Sequence, residues 1–200
     1  PIITDFNKIV ELEPPKIKRS SSLNKVLKTI KLLKKEVDDR VPIIGTIISP
    51  FSLPVMQMGF DNYLELIYTE PEKFERLMEI NITYSIRWAN AQLEAGAAFI
   101  GLADPLASYS MISREKYLQI GKEIVSQTIS GINGSVALHF SSAAGADVIK
   151  DLLDTGIKGT AVSSYDNLKN IKKECKKKKI AVMGNLNGIE MRKWSKKDVD

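Results

Sequence analysis

The sequence predicts an α/β chain of the (β/α)8 TIM barrel type, present as an incomplete piece of about five β/α units. Three observations carry this reading. Five short apolar runs between Val41 and Gly184 alternate with helix-patterned stretches, and such alternation forces parallel strands because each helix is the crossover that returns the chain. No Gly-x-Gly-x-x-Gly follows any of these runs, so the fingerprint of a dinucleotide-binding open sheet is missing. Small or polar residues stand just after strand after strand: Ser49-Pro50, Asp104-Pro105, His139, Ser163-Ser164 and Gly184-Asn185. In a barrel all five positions share one rim, the face where barrel enzymes hold their chemistry. Five strands do not close an eight-strand barrel of about 250 residues, so residues 1–200 are expected to form one barrel domain truncated at both ends.

The elements follow in order. Pro1 to Pro15 reads as an irregular or short helical lead-in broken at "EPPK". From Ser22 to about Asp38 the residues Leu23, Val26, Leu27, Ile30, Leu33 and Val37 repeat at helical spacing behind the possible caps Ser20 to Ser22. "VPIIGTIIS" is a continuous apolar run, predicted as a strand buried on both faces and ended by Pro50. "PFSLPVMQMGFDNYLELIYTE" reads as one or two short helices interrupted near Gly59, and "TEPEKFERL" opens a long amphipathic helix that runs to about Ala95. After it come strand "AAFIGLA", a helix over 113–132, strand "SVALH", a helix over 144–156 stopped by Gly156, strand "GTAVS", helix "DNLKNIKKECKKK" and strand "IAVMG".

A hydrophobic content of 44% over 200 residues supports a sizeable core, and the net charge is +5. Much of that charge lies in "KNIKKECKKKK" and "LNKVLKTIKLLKKE", where apolar residues keep helical spacing, so the lysines read as solvated outer faces. No aromatic residues interleave with them and no arginine fork appears, which argues against a nucleic-acid partner. The single cysteine, Cys175, excludes an internal disulfide, fits a reducing cytoplasm and reads as surface or half-buried filler. No apolar run approaches the ~20 residues of a membrane span, and no secretory leader is visible.

Three strand ends carry candidate chemistry. Asp104 could accept a proton, bind a metal or fix a loop, yet Asp-Pro is equally a turn former. His139, the chain's only histidine, could be a ligand or a hydrogen-bonded loop residue, and its isolation argues against a closed zinc cage. Gly184-Asn185 offers backbone N–H groups and a side-chain amide, or simply a tight turn. The residues leave these alternatives open.

Together, "VPIIGTIISPFSLPVMQMG", "AGAAFIGLADPLASYSMIS", "VALHFSSAAG" and "IAVMGNLNGIEM", in this order and spacing, resemble the uroporphyrinogen decarboxylase superfamily from about Glu11 to Asp200. "DPLASYSMIS" followed by a histidine-bearing strand end resembles its methylcobamide:coenzyme M methyltransferase branch. The resemblance implies a barrel enzyme that moves a methyl group from a corrinoid protein to a small thiol such as coenzyme M. In that branch a His-x-Cys pair and a later cysteine hold zinc, and zinc binds the thiol as a thiolate, the form that is nucleophilic. His139 matches the histidine, but Ser141 stands where the cysteine is expected, and a neutral hydroxyl substitutes poorly for a soft thiolate. The resemblance thus implies His139 and Ser141 as the metal positions; by their places on the rim, Asp104 is expected as a catalytic or supporting carboxylate and Ser49, Ser163 and Asn185 as substrate-binding residues. A uroporphyrinogen decarboxylase-like enzyme is the second reading. It would need cations for many substrate carboxylates, and only Arg76, Arg87 and Arg114 lie between Pro42 and Met191. A catalytically inactive paralogue that still binds a corrinoid protein is the third.

Overall fold

The computed structural model describes residues 2–109, 111–140 and 145–199. After 3-10 turns at Phe6–Glu11 and Ile17–Arg19, helix α1 spans Ser21–Val37, capped by the Ser20 hydroxyl, which accepts from the Leu23 N–H. Strand β1 (Ile44–Ile48) leads into α2 (Leu53–Met58), α3 (Phe60–Thr69) and the long α4 (Pro71–Glu94). The break expected near Gly59 lies there, at a φ of 86° that favours glycine. Strand β2 (Phe99–Ala103) is followed by α5 (Arg114–Lys116), a π-helical turn (Tyr117–Gly121) and α6 (Lys122–Ser130). Next come β3 (Val136–His139), α7 (Ile149–Leu152), β4 (Gly159–Ala161), α8 (Leu168–Lys177), β5 (Ala181–Met183), a 3-10 turn (Glu190–Lys193) and α9 (Lys196–Val199).

All four strand pairings are parallel, and the strand order is β1-β2-β3-β4-β5, each strand beside its predecessor. A doubly wound sheet reverses its strand order at a switch point, whereas a barrel adds strands steadily round one axis. The order therefore matches the predicted barrel.

Pleating sends alternate residues to opposite faces. Ile47, Ile100, Leu102, Val136 and Leu138 are buried in the core, which they share with Leu77, Trp88, Ala89, Ile124 and Val125 of the helices. The other face is concave, and the described residues leave it largely open: Ile44 is 46% and Met183 55% exposed. Ile44 and Thr46 turn toward this face, which the five strands of this chain leave uncovered.

Two helices depart from their sequence patterns for local reasons. Within the helix expected over 113–132, one turn widens to π geometry and the Tyr117 ring lies over Gly121, where a Cβ would stand 2.5 Å from the ring. In the stretch expected to be helical over 144–156, α-helix is confined to Ile149–Leu152. Beyond it the Thr155 hydroxyl and N–H both take the Leu152 carbonyl, at 2.7 and 3.1 Å, which competes with a further helical turn. On α8, Ile171 and Cys175 face inward while Lys169, Lys172, Lys173, Lys176 and Lys177 are exposed, in accord with a solvated lysine face. Cys175 itself is fully buried rather than superficial, and burial raises its thiol pKa. No helix among the described residues is long and apolar enough to cross a membrane.

Candidate active site

The concave face is built in rows. Strand register aligns Thr46, Gly101, Ala137, Gly159 and Ala181 in one row, and Ile48, Ala103, His139, Ala161 and Met183 in the next row toward the C-terminal strand ends. His139 is thus the one polar residue of its row, flanked by two alanines and standing over glycines and alanines. These small residues leave a hollow of about 190 Å³ that His139 lines together with Thr46, Phe99, Gly101 and Ala161. His139 is exposed, and its ring makes no hydrogen bond among the described residues. An imidazole at the carboxyl end of a central strand, above a floor without bulk, is a group presented to whatever enters.

Asp104 is placed differently. Its N–H continues the ladder by donating to the His139 carbonyl at 2.8 Å. Ala103, one residue back, occupies the concave face beside His139, so the Asp104 side chain emerges on the opposite face, fully buried. There its carboxyl accepts from the Ser52 hydroxyl at 2.5 Å, from Ser49, and from the Tyr117 hydroxyl at 3.4 Å. Burial pushes its pKa up to about 6, and the three hydroxyl donors restrain the rise. Tyr117 and Tyr63 are held well above the usual phenol range, first by burial and then by the charge of Asp104. Sharing a rim therefore does not bring the imidazole and this carboxylate together. Their backbones touch while their side chains diverge.

Ser49 belongs to the same buried group. It is inaccessible, its hydroxyl accepts from the Phe51 N–H at 3.2 Å, and its own N–H donates to the Ala103 carbonyl. The Ser52 hydroxyl, which the sequence did not single out, also accepts from the Leu106 N–H at 3.1 Å and so ties the loop after β2 to the start of α2.

Ser163 and Asn185 lie together on a second polar cluster. The Asn185 amide donates to the carbonyls of Ser163 (2.9 Å) and Asp166 (2.8 Å), and the Ser163 hydroxyl accepts from the Tyr165 N–H. At its centre is Asp166, also absent from the sequence-derived candidates. Its buried carboxylate accepts from the N–H groups of Gly145, Ala146 and Ser163 at 3.0 to 3.1 Å. Three successive loops converge there. The next residue in the chain, Asn167, caps α8 by accepting from the Asn170 N–H.

Ser141 lies outside the described residues. Among the described residues no three His, Cys, Asp or Glu side chains come together to hold a metal. One imidazole does not make a zinc site, which needs three protein ligands at a minimum when catalytic. The described residues therefore do not by themselves fit zinc.

Fold and site together define a (β/α)-barrel protein that presents a histidine on the concave side at the carboxyl ends of its strands. The uroporphyrinogen decarboxylase (URO-D) family model matches residues 1–200, and the chain belongs to that family. The barrel is of that family's type, and the chain supplies five of its β/α units. Among its relatives is the methylcobamide:CoM methyltransferase MtaA of Methanosarcina barkeri, 29% identical over 149 residues, which cover 74% of this chain and 44% of that protein. A uroporphyrinogen decarboxylase of Syntrophotalea carbinolica is 35% identical over 129 residues, covering 60% of this chain and 37% of that protein. A solved methyltransferase from Methanosarcina mazei superposes with a TM-score of 0.75 over 87% of this chain and 54% of its own, at 24% identity, and shows the shared fold. The chain spans about half the length of the curated relatives it matches or less. By name these relatives are methylcobamide:CoM methyltransferases and a uroporphyrinogen decarboxylase, so the family is one of enzymes.

Proposed function

We propose that this chain carries the histidine-bearing part of the mouth of a methyltransferase, one that moves a methyl group from a corrinoid protein to a small thiol such as coenzyme M. The names of the methanosarcinal relatives support the reaction class. The single structural observation behind the reading is His139 itself, unpaired among the described residues, above a floor of glycine and alanine. Those small side chains leave room for a thiol beneath the imidazole, whose free ring nitrogens can hold a thiol or thiolate in place. Asp104 contributes from behind, fixing the strand end through its backbone N–H. Ser49 and Ser163 act the same way, as buried supports rather than substrate contacts, and Asn185 spends its amide on the loop after β4.

Zinc, where bound, makes a thiolate available at neutral pH. It would need ligands besides His139 that the described residues do not supply, so the chain's own part is to place the imidazole and shape the hollow. Decarboxylation remains the second reading, favoured by the Syntrophotalea relative. It calls for cations at the mouth, yet Arg114 is held on Asp151 at 2.7 and 3.1 Å and Arg76 is bound to Glu79 and the Leu12 carbonyl.

The test is zinc content and methyl transfer from free methylcobalamin to coenzyme M, read in the cobalamin spectrum, for the purified protein and for His139→Ala. A spectral change that the variant loses is the expected result, with any bound zinc lost alongside it. Neither signal in the unaltered protein would leave decarboxylation or a role confined to binding a corrinoid protein.

A further inference from the structure

We infer that Asp166 is a positioning residue for His139. The inference rests on the reading of His139 as the working group at the mouth. Asp166 lies in the loop after β4, 27 positions from His139 along the chain, and reaches it through three contacts.

The first contact is the carboxylate itself. Both oxygens accept from the Gly145 N–H at 3.1 Å, one takes the Ala146 N–H at 3.1 Å and the other the Ser163 N–H at 3.0 Å. A buried carboxylate is costly unless donors surround it, and backbone N–H groups from two separate loops do so here. The second contact is between Gly145 and Phe140. A Cβ on residue 145 would stand 2.4 Å from the Phe140 ring, so glycine alone allows the approach, and Phe140 is fully buried. The third is the peptide that joins Phe140 to His139, whose carbonyl is held from the other side by the Asp104 N–H. From behind, the Asn185 amide fixes the Asp166 carbonyl. Residues 139 and 140 are therefore clamped between β2 and a post that Asp166 sets, and the direction of the imidazole follows from that clamp.

Asp166→Asn keeps the size but turns one acceptor into a donor facing N–H donors, so the post is released. Gly145→Ala breaks the same relay at its second contact. The chain has a single histidine, so its imidazole signals in a proton–nitrogen NMR spectrum report His139 alone. Both variants are expected to displace and broaden those signals, and Asp166→Asn also to speed amide exchange at Gly145, Ala146 and Ser163. Asp151→Asn is the control. It strips a different anchor, the one that receives Tyr109 at 2.6 Å and Arg114, and is expected to leave the imidazole signals in place. Unchanged signals in a folded Asp166→Asn or Gly145→Ala protein, or an equal change in the control, would overturn the inference. If Asp166→Asn does not fold, Gly145→Ala decides. The measurement needs neither metal nor corrinoid, so a failure of methyl transfer in the unaltered protein leaves it standing.

Discussion

Asp104 shows how one position along a strand decides what a carboxylate does. Beside His139 in the pleat it would have faced the hollow; one residue later it is sealed among Ser49, Ser52 and Tyr117. Its native pKa of about 6 lies above the ordinary 3.8. Between the two values the native state keeps the proton and the unfolded chain releases it, so this group's contribution to stability is full below about pH 4 and falls as pH rises toward 6. Relative to Asp104→Asn, the protein is expected to lose about 3 kcal/mol across that window and to show no further difference above it. Urea midpoints of both proteins at several pH values between 3.5 and 7 check this. A flat difference would mean that the fold leaves this pKa unshifted, and one that grows with pH that the fold lowers it.

Among the elements, β1 is tied to α4 by a side chain. The Gln92 amide of α4 accepts from the Thr46 N–H at 3.0 Å and donates to the Thr46 carbonyl at 3.1 Å, mimicking a neighbouring strand. Gln92 is buried, so Gln92→Ala strands both backbone groups as well as losing its own bonds. A cost of about 1–3 kcal/mol in denaturant unfolding is expected. If the variant is as stable as the parent, the glutamine is not holding the strand.

For the barrel piece taken together, the division between a packed convex side and a working concave side makes opposite predictions for neighbouring residues of β3. Ala137 faces the hollow under His139 and is only half-buried, whereas Leu138 is sealed in the core. Ala137→Phe is expected to change stability by no more than about 1 kcal/mol while abolishing methyl transfer, because the ring fills the space beneath the imidazole. Leu138→Ala is expected to cost about 2–5 kcal/mol and to leave the folded fraction active. Denaturant midpoints and the cobalamin spectrum on both proteins test the pair, and a reversal of the pattern would place the site on the other face of the sheet.

Much was determined by sequence alone. Five strands, their parallel pairing, the lysine face of α8 and a histidine at a strand's end all follow from periodicity and glycine or proline punctuation, which are properties of a few consecutive residues. The family followed from four motifs in order. Only tertiary structure decided the polar partnerships: Ser52 with Asp104 across 52 positions, Gly145 with Asp166 across 21, and Gln92 with Thr46 across 46. A buried polar atom must find a partner wherever the fold brings one, and a single step of register turns a side chain from the hollow to the core. That is why His139 is legible in the sequence as a candidate, whereas the face that Asp104 takes and the contacts of Asp166 are not.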